Sequence, residues 1–290
     1  MLASYMFTIG ACSNIQNTDL QTKNKVFVSI LPQKYFVEKI AGDLFDVEVM
    51  VKPGFSPETY EPTAKQMISL SEAKIYFTIG VEFENSLLDR IKKTNPNLLV
   101  INTRDGIELL DINRYQTYSN PEENDDHKGK DPHIWLSPML VKIQAENIKK
   151  GLNYIDLDNS KIYDENYKKF SEELDTLHIE IENTFKDLKA RDFLVFHPAW
   201  GYFADEFSLN QYAIEIEGKE PTIKELSKII NIAKEKNIKV IFTQEQISKQ
   251  NAESIADQIG ATIVSIDPLA ENYIENLRQV VDIIKNSLND

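Results

Sequence analysis

The sequence predicts an α/β protein built as two doubly wound lobes of βαβ units joined by one long, rigid helix. Three observations carry that expectation. Short β-branched runs alternate with helical patterns from Lys25 onward, the signature of βαβ units around a mostly parallel sheet. One unbroken amphipathic stretch, residues 163–188, interrupts the alternation. Beyond it the same alternation resumes.

In the first half, "KVFVSIL" (25–31), "DVEVMV" (46–51), "KIYFTI" (74–79) and "NLLVI" (97–101) are predicted strands. Helices are predicted between them at about 33–42, 63–72 and 84–93. A polar loop covers 102–131, after which the pattern resumes as helix. Residues 163–188 carry Tyr163, Tyr167, Phe170, Leu174, Leu177, Ile181, Phe185 and Leu188 at steps of four and three, with no Gly or Pro to break the run. A helix of that length spans roughly 40 Å and can brace both lobes, so little hinge motion is expected. "FLVF" (193–196), "YAIEI" (212–216), "KVIFT" (239–243) and "TIVSI" (262–266) supply the second lobe, again with helices between. The expected organisation is a leader and linker over 1–23, a first lobe over 24–155, the connecting helix over 156–190 and a second lobe over 191–290. The halves also echo each other. "VSILPQKYFVEKIAGDLFDVEVM" and "IFTQEQISKQNAESIADQIGATIVSI" share a strand, a Gln just past it, a helix closed near a Gly and a second strand. Two related lobes facing each other would place a ligand in the cleft between them.

Composition narrows the function. The chain has 290 residues, enough for one large or two medium domains, and 42% hydrophobic with 27% charged residues is an ordinary globular balance. A formal net charge of −14 argues against nucleic-acid or anionic-membrane partners and suits a protein that handles cations. The single cysteine, Cys12, excludes a disulfide within the chain. Cys12 ends the apolar opening "MLASYMFTIGAC" and is followed by the linker-like "IQNTDLQTKN", an arrangement that resembles the lipobox of a bacterial lipoprotein. The basic residues that usually precede such a stretch are absent.

Four histidines bear on chemistry. His178 lies one position off the apolar stripe of the long helix and is expected at the surface or partly packed. His127 sits in the charged loop "ENDDHKGK". His133, in "DPHIWLSP", and His197, in "FLVFHPAWGYF", stand before or after prolines close to predicted strand ends, where open α/β sheets bind ligands. Asp131 is spaced to orient the His133 ring. Asp267 in "SIDPL" and Glu58 in "FSPETYEP" repeat the pattern of an acid beside a proline beyond a strand. Tyr60 and Glu61 read as loop-packing groups or outer partners of Glu58. Glu58, His133, His197 and Asp267 together would form a full shell for Zn²⁺ or Mn²⁺, whereas Ca²⁺ and Mg²⁺ are disfavoured by the imidazoles.

"PGFSPETYEPTAKQM", "DPHIWLSP", "FHPAWGYFADEF", "GKEPT" and "SIDPL", in this order and divided by a long helix, resemble the zinc and manganese substrate-binding proteins of bacterial ABC importers over about residues 24 to 290. The resemblance implies two α/β lobes on one rigid helix, a metal held between them by Glu58, His133, His197 and Asp267, a cognate membrane permease as partner, and an extracytoplasmic monomer, either lipid-anchored through Cys12 or periplasmic. Most such relatives carry His at the first ligand position, and many zinc-type members have a His-rich loop before "DPH". This chain has Glu58 and only His127 in those places. A metallohydrolase with Glu58 or Glu245 as base is the alternative from another class, but no H-E-x-x-H is present to support it.

Overall fold

The computed structural model describes residues 23–112, 129–215, 221–246 and 249–289. Strands β1 (Asn24–Val28), β2 (Phe45–Val49), β3 (Ile75–Thr78) and β4 (Leu99–Asn102) form one parallel sheet in the order β2-β1-β3-β4. Strands β5 (Asp192–Val195), β6 (Asn210–Ala213), β7 (Val240–Thr243) and β8 (Thr262–Ser265) form a second in the order β6-β5-β7-β8. Each predicted strand is present; β5 keeps its predicted length one residue earlier, and the others are shorter by one or two residues. Met50 and Val51 stay buried past the end of β2, with their N–H groups still donating to Val28 and Ser29. The apolar run therefore marks burial beyond the strand proper.

The β1 prediction runs three residues past the strand, because Leu31 opens helix α1 (Leu31–Ala41). Pro32 fixes the first turn, and Gln33 Oε1 accepts from the Ser29 N–H at 2.9 Å, which bends the chain out of the sheet. The two lobes share one strand order, so β1, β2, β3 and β4 correspond to β5, β6, β7 and β8. This corrects the echo read from the sequence. Those segments are β1-α1-β2 and β7-α8-β8, with α8 at Lys249–Ile259, and they occupy different positions in the shared topology.

Helices α2 (Ala64–Ser71), α3 (Glu82–Thr94) and α4 (Pro138–Ile155) complete the first lobe, and α6 (Gly201–Glu206), α7 (Ile223–Glu235), α8 and α9 (Tyr273–Asn289) the second. Helix α4 lies close on its sheet at Gly151, where an added Cβ would come within 2.7 Å of Phe77 and 2.9 Å of Ile75. The long helix α5 (Ser160–Phe185) begins and ends three residues earlier than the stripe predicts, because its first turn is polar. It buries Tyr163, Phe170, Leu174, Leu177, Ile181 and Phe185. One apolar core runs from Val26, Phe27 and Val28 through this stripe to Phe193, Val195, Tyr273, Leu277 and Ile284, so the lobes share it. A smaller core built on Ile214, Ile229, Ile241 and Ile255 belongs to the second lobe alone. Among the described residues no helix is long and apolar enough to cross a membrane.

Candidate metal centre

Three segments, each beyond the C-terminal end of a strand or entering a helix, meet between the lobes. Glu58 lies in the loop after β2. The Tyr60 ring packs edge-on to Phe83 and Phe55, and its hydroxyl donates to Gln66 Oε1 at 2.7 Å. Gln66 Nε2 in turn donates to the Met50 carbonyl at 2.7 Å, which ties the loop to the end of its strand. The Ser56 hydroxyl donates to Glu58 Oε2, leaving Oε1 turned toward two imidazoles.

His133 precedes a single helical turn, Ile134–Leu136, that leads into α4. Fully buried Asp131 accepts from the His133 backbone N–H at 2.9 Å, and its Oδ1 lies 2.7 Å from Nδ1 of the same ring. The second lobe grips this segment twice. The Tyr202 hydroxyl donates to the Asp131 carbonyl at 2.9 Å, and Trp135 Nε1 donates to the Pro268 carbonyl at 2.7 Å.

His197 stands two residues beyond β5, with Nδ1 2.7 Å from Glu215 Oε2. Sequence reading missed Glu215, although a signal was present. Strand β5 pairs with β6 in the register Val195↔Ala213, and carrying that register on by two residues sets Glu215 beside His197. The Ile214 and Glu215 N–H groups continue the ladder to Val195 and Phe196. Within "YAIEI", the one acid was the residue to question.

With each Nδ1 held by a carboxylate, both Nε2 atoms face inward. They are 3.2 Å apart, and Glu58 Oε1 lies 3.3 Å from that of His197 and 3.8 Å from that of His133. Donors around a tetrahedral ion with bonds of about 2.0–2.2 Å stand about 3.3–3.6 Å apart, so this triangle fits one transition-metal cation. Among the described residues these three form the one His/Cys/Asp/Glu cluster spaced to hold a metal. They open onto a cavity of about 410 Å³ between the lobes, walled also by Val81, Asn85, Lys130 and Pro132.

The charges behave as if a cation belonged there. Burial works to raise the Glu58 carboxyl, but hydrogen bonds and charge from His133 and His197 outweigh it and hold the group well below the carboxylate range. Burial works to lower both imidazoles, yet His197 is pushed up to about 9 by Glu215 and Glu58, and His133 is raised by Asp131 and Glu58. Losing an outer carboxylate of this kind costs a metal site about 10- to 100-fold in affinity. Glu215→Ala is expected to weaken metal binding by that factor, read by competition with a chromophoric chelator, while the chain still folds.

Asp267 stands outside the triangle. Its Oδ1 accepts from the Leu269 N–H at 2.8 Å, and it shares a small cavity of about 50 Å³ with Glu245 and the Val51–Phe55 loop. Burial and the nearby Glu245 charge raise its carboxyl. Glu61 is exposed and hydrogen-bonds none of the three donors. His178 is partly buried on α5, with Nδ1 2.6 Å from Glu206 Oε1. Cys12 and His127 lie outside the described residues.

Residues 26–287 match the family described as zinc-uptake complex component A, periplasmic. The chain belongs to this family. It is 27% identical to the high-affinity zinc uptake system protein ZnuA of Bacillus subtilis strain 168 over 309 aligned positions, covering 99% of this chain and 96% of that protein. A crystal structure of ZnuA superposes with a TM-score of 0.85 at 41% identity, over 92% of this chain and 99% of that one. The laminin-binding protein Lmb of Streptococcus agalactiae, described as a bifunctional protein with adhesin and metal transporting activity, superposes at 0.79 with 25% identity over 91% of this chain and 99% of that one. The lobes and connecting helix described above are thus the architecture of zinc-uptake component A proteins.

Proposed function

We infer that this protein captures one divalent transition-metal ion outside the cytoplasm, zinc in preference to manganese, and hands it to the membrane permease of an ABC importer. The observation that carries the reading is the triangle of Glu58 Oε1, His133 Nε2 and His197 Nε2, preoriented by Asp131 and Glu215. Two imidazoles and near-tetrahedral spacing favour zinc, and nitrogen and oxygen sites generally bind it more tightly than manganese. Asp267 is the proposed fourth ligand, because its half-buried carboxyl has a carboxylate neighbour and would be relieved by a cation. Four protein donors leave no position for a reacting water, so the site holds cargo and does not catalyse. In this reading Cys12 carries the lipid anchor, and the protein works as a monomer beside the permease.

Dialysis of the chelator-stripped protein against equal zinc and manganese, followed by metal analysis, tests this. One zinc per chain is expected, and a manganese-loaded or metal-free product would overturn the assignment. Binding should also release protons. The His197 imidazole, pushed up to about 9, is protonated at pH 7 before metal arrives and must give up its proton to bind. Apparent affinity should therefore rise from pH 6 toward about 9, and calorimetry in buffers of different ionisation enthalpy should show proton release at pH 7.

A further inference from the structure

Three of the eight large hydrophobic side chains that the described residues expose fall within one nine-residue turn. Tyr154 is 79% exposed at the end of α4, Leu157 73% in the connecting turn and Ile162 43% at the start of α5. Nothing in local structure requires them to be apolar. Asp156 holds the turn by itself, its Oδ2 accepting from the Asn159 side chain at 2.8 Å and the Tyr163 hydroxyl at 2.6 Å.

The position of this turn identifies what it meets. Tyr163 packs on Phe45 with ring centroids 6.4 Å apart, and Phe45 pairs with Asn24 at the start of β1. The apolar turn therefore lies at the edge where the N-terminal segment enters the fold. The metal triangle lies at the opposite edge, about 27 Å away along the 18 residues of α4. A chain tethered at Cys12 reaches Asn24 through residues 13–23, at most about 40 Å of backbone. Any bilayer holding that tether lies within reach of Tyr154 and Leu157.

We propose that Tyr154, Leu157 and Ile162 form a membrane-resting surface that dips into the headgroup region of a zwitterionic bilayer and turns the metal cleft outward. Asp158, Lys161 and Lys150 around the turn are of mixed sign, so contact is made by apolar insertion of Tyr and Leu and not by attraction to anionic lipid. Such insertion is weak alone and becomes effective when a tether raises the local concentration. The resting protein would collect metal facing away from the membrane and turn over to meet the permease.

The inference uses the anchored reading for its setting only, and its test does not depend on natural lipidation. Because Cys12 is the only cysteine, a maleimide lipid in phosphatidylcholine vesicles tethers the full chain there whatever the cell does. Amine acetylation, read residue by residue by mass spectrometry, then reports orientation. Lys150 and Lys161, which flank the turn and are 66% and 88% exposed, should label severalfold more slowly on tethered than on free protein. Lys52, exposed in the loop leading to Glu58, should be unchanged. Tyr154→Glu with Leu157→Glu should restore labelling at Lys150 and Lys161 while zinc binding persists. Equal rates in tethered and free protein, slowing at Lys52 instead, or protection in free protein that grows with its concentration would overturn the proposal. Mass analysis of Cys12 from the native membrane separately tests the anchor.

Discussion

His133→Ala and His197→Ala are each expected to abolish high-affinity metal binding. Both side chains aim Nε2 at the same point, 3.2 Å from each other, and each is fixed through Nδ1 by a carboxylate that would be left without its partner. Loss of a carboxylate that only orients a ligand costs about 10- to 100-fold, so loss of the ligand should exceed the upper figure. Isothermal titration of chelator-stripped variants with zinc reads the effect. Circular dichroism guards against misfolding, since His133 is nearly fully buried. An affinity unchanged in either variant would remove that residue from the site.

Glu58→His is expected to shift selectivity toward zinc. The substitution exchanges a hard carboxylate for an imidazole at a point 3.3 Å from His197 Nε2, giving the shell a third nitrogen. A change in the zinc-to-manganese affinity ratio on the order of tenfold, about 1.4 kcal/mol, is the expected scale. Competition dialysis measures it directly. Because Ser56 loses its carboxylate acceptor in the variant, Ser56→Ala with Glu58 intact serves as the control. A ratio that does not move would mean Glu58 contacts the ion weakly or not at all.

The sheets were legible because parallel strands buried on both faces read as short continuous apolar runs, and β3, buried at every position, is the clearest of them. Strand ends were less legible. Met50 and Val51 are more buried than Val47, Glu48 and Val49 before them, so apolar composition carries no mark of where pairing stops. The start of α5 was hidden for the opposite reason. Its first turn, Ser160 and Lys161, is polar, and an apolar stripe reports only the face that packs.

For the site, Glu58, His133 and His197 stood out as metal-competent residues beside prolines near strand ends, and Asp131 followed from its spacing to His133. Glu215 did not stand out because its role depends on the β5–β6 register, a pairing between segments 18 residues apart. Asp267 met the same criteria as His197 yet lines a separate small cavity with Glu245. Position at a strand end brings a residue to the cleft and does not decide which way its side chain turns once a backbone N–H, here that of Leu269, competes for its oxygen.

The most direct measurement is a crystal structure of the zinc-loaded protein with data collected on both sides of the zinc absorption edge. One anomalous peak per chain is expected, about 2.0–2.2 Å from Glu58 Oε1, His133 Nε2 and His197 Nε2, with an Asp267 carboxylate oxygen as the fourth donor. A peak elsewhere, or a zinc ion bound without both imidazoles, would contradict that expectation.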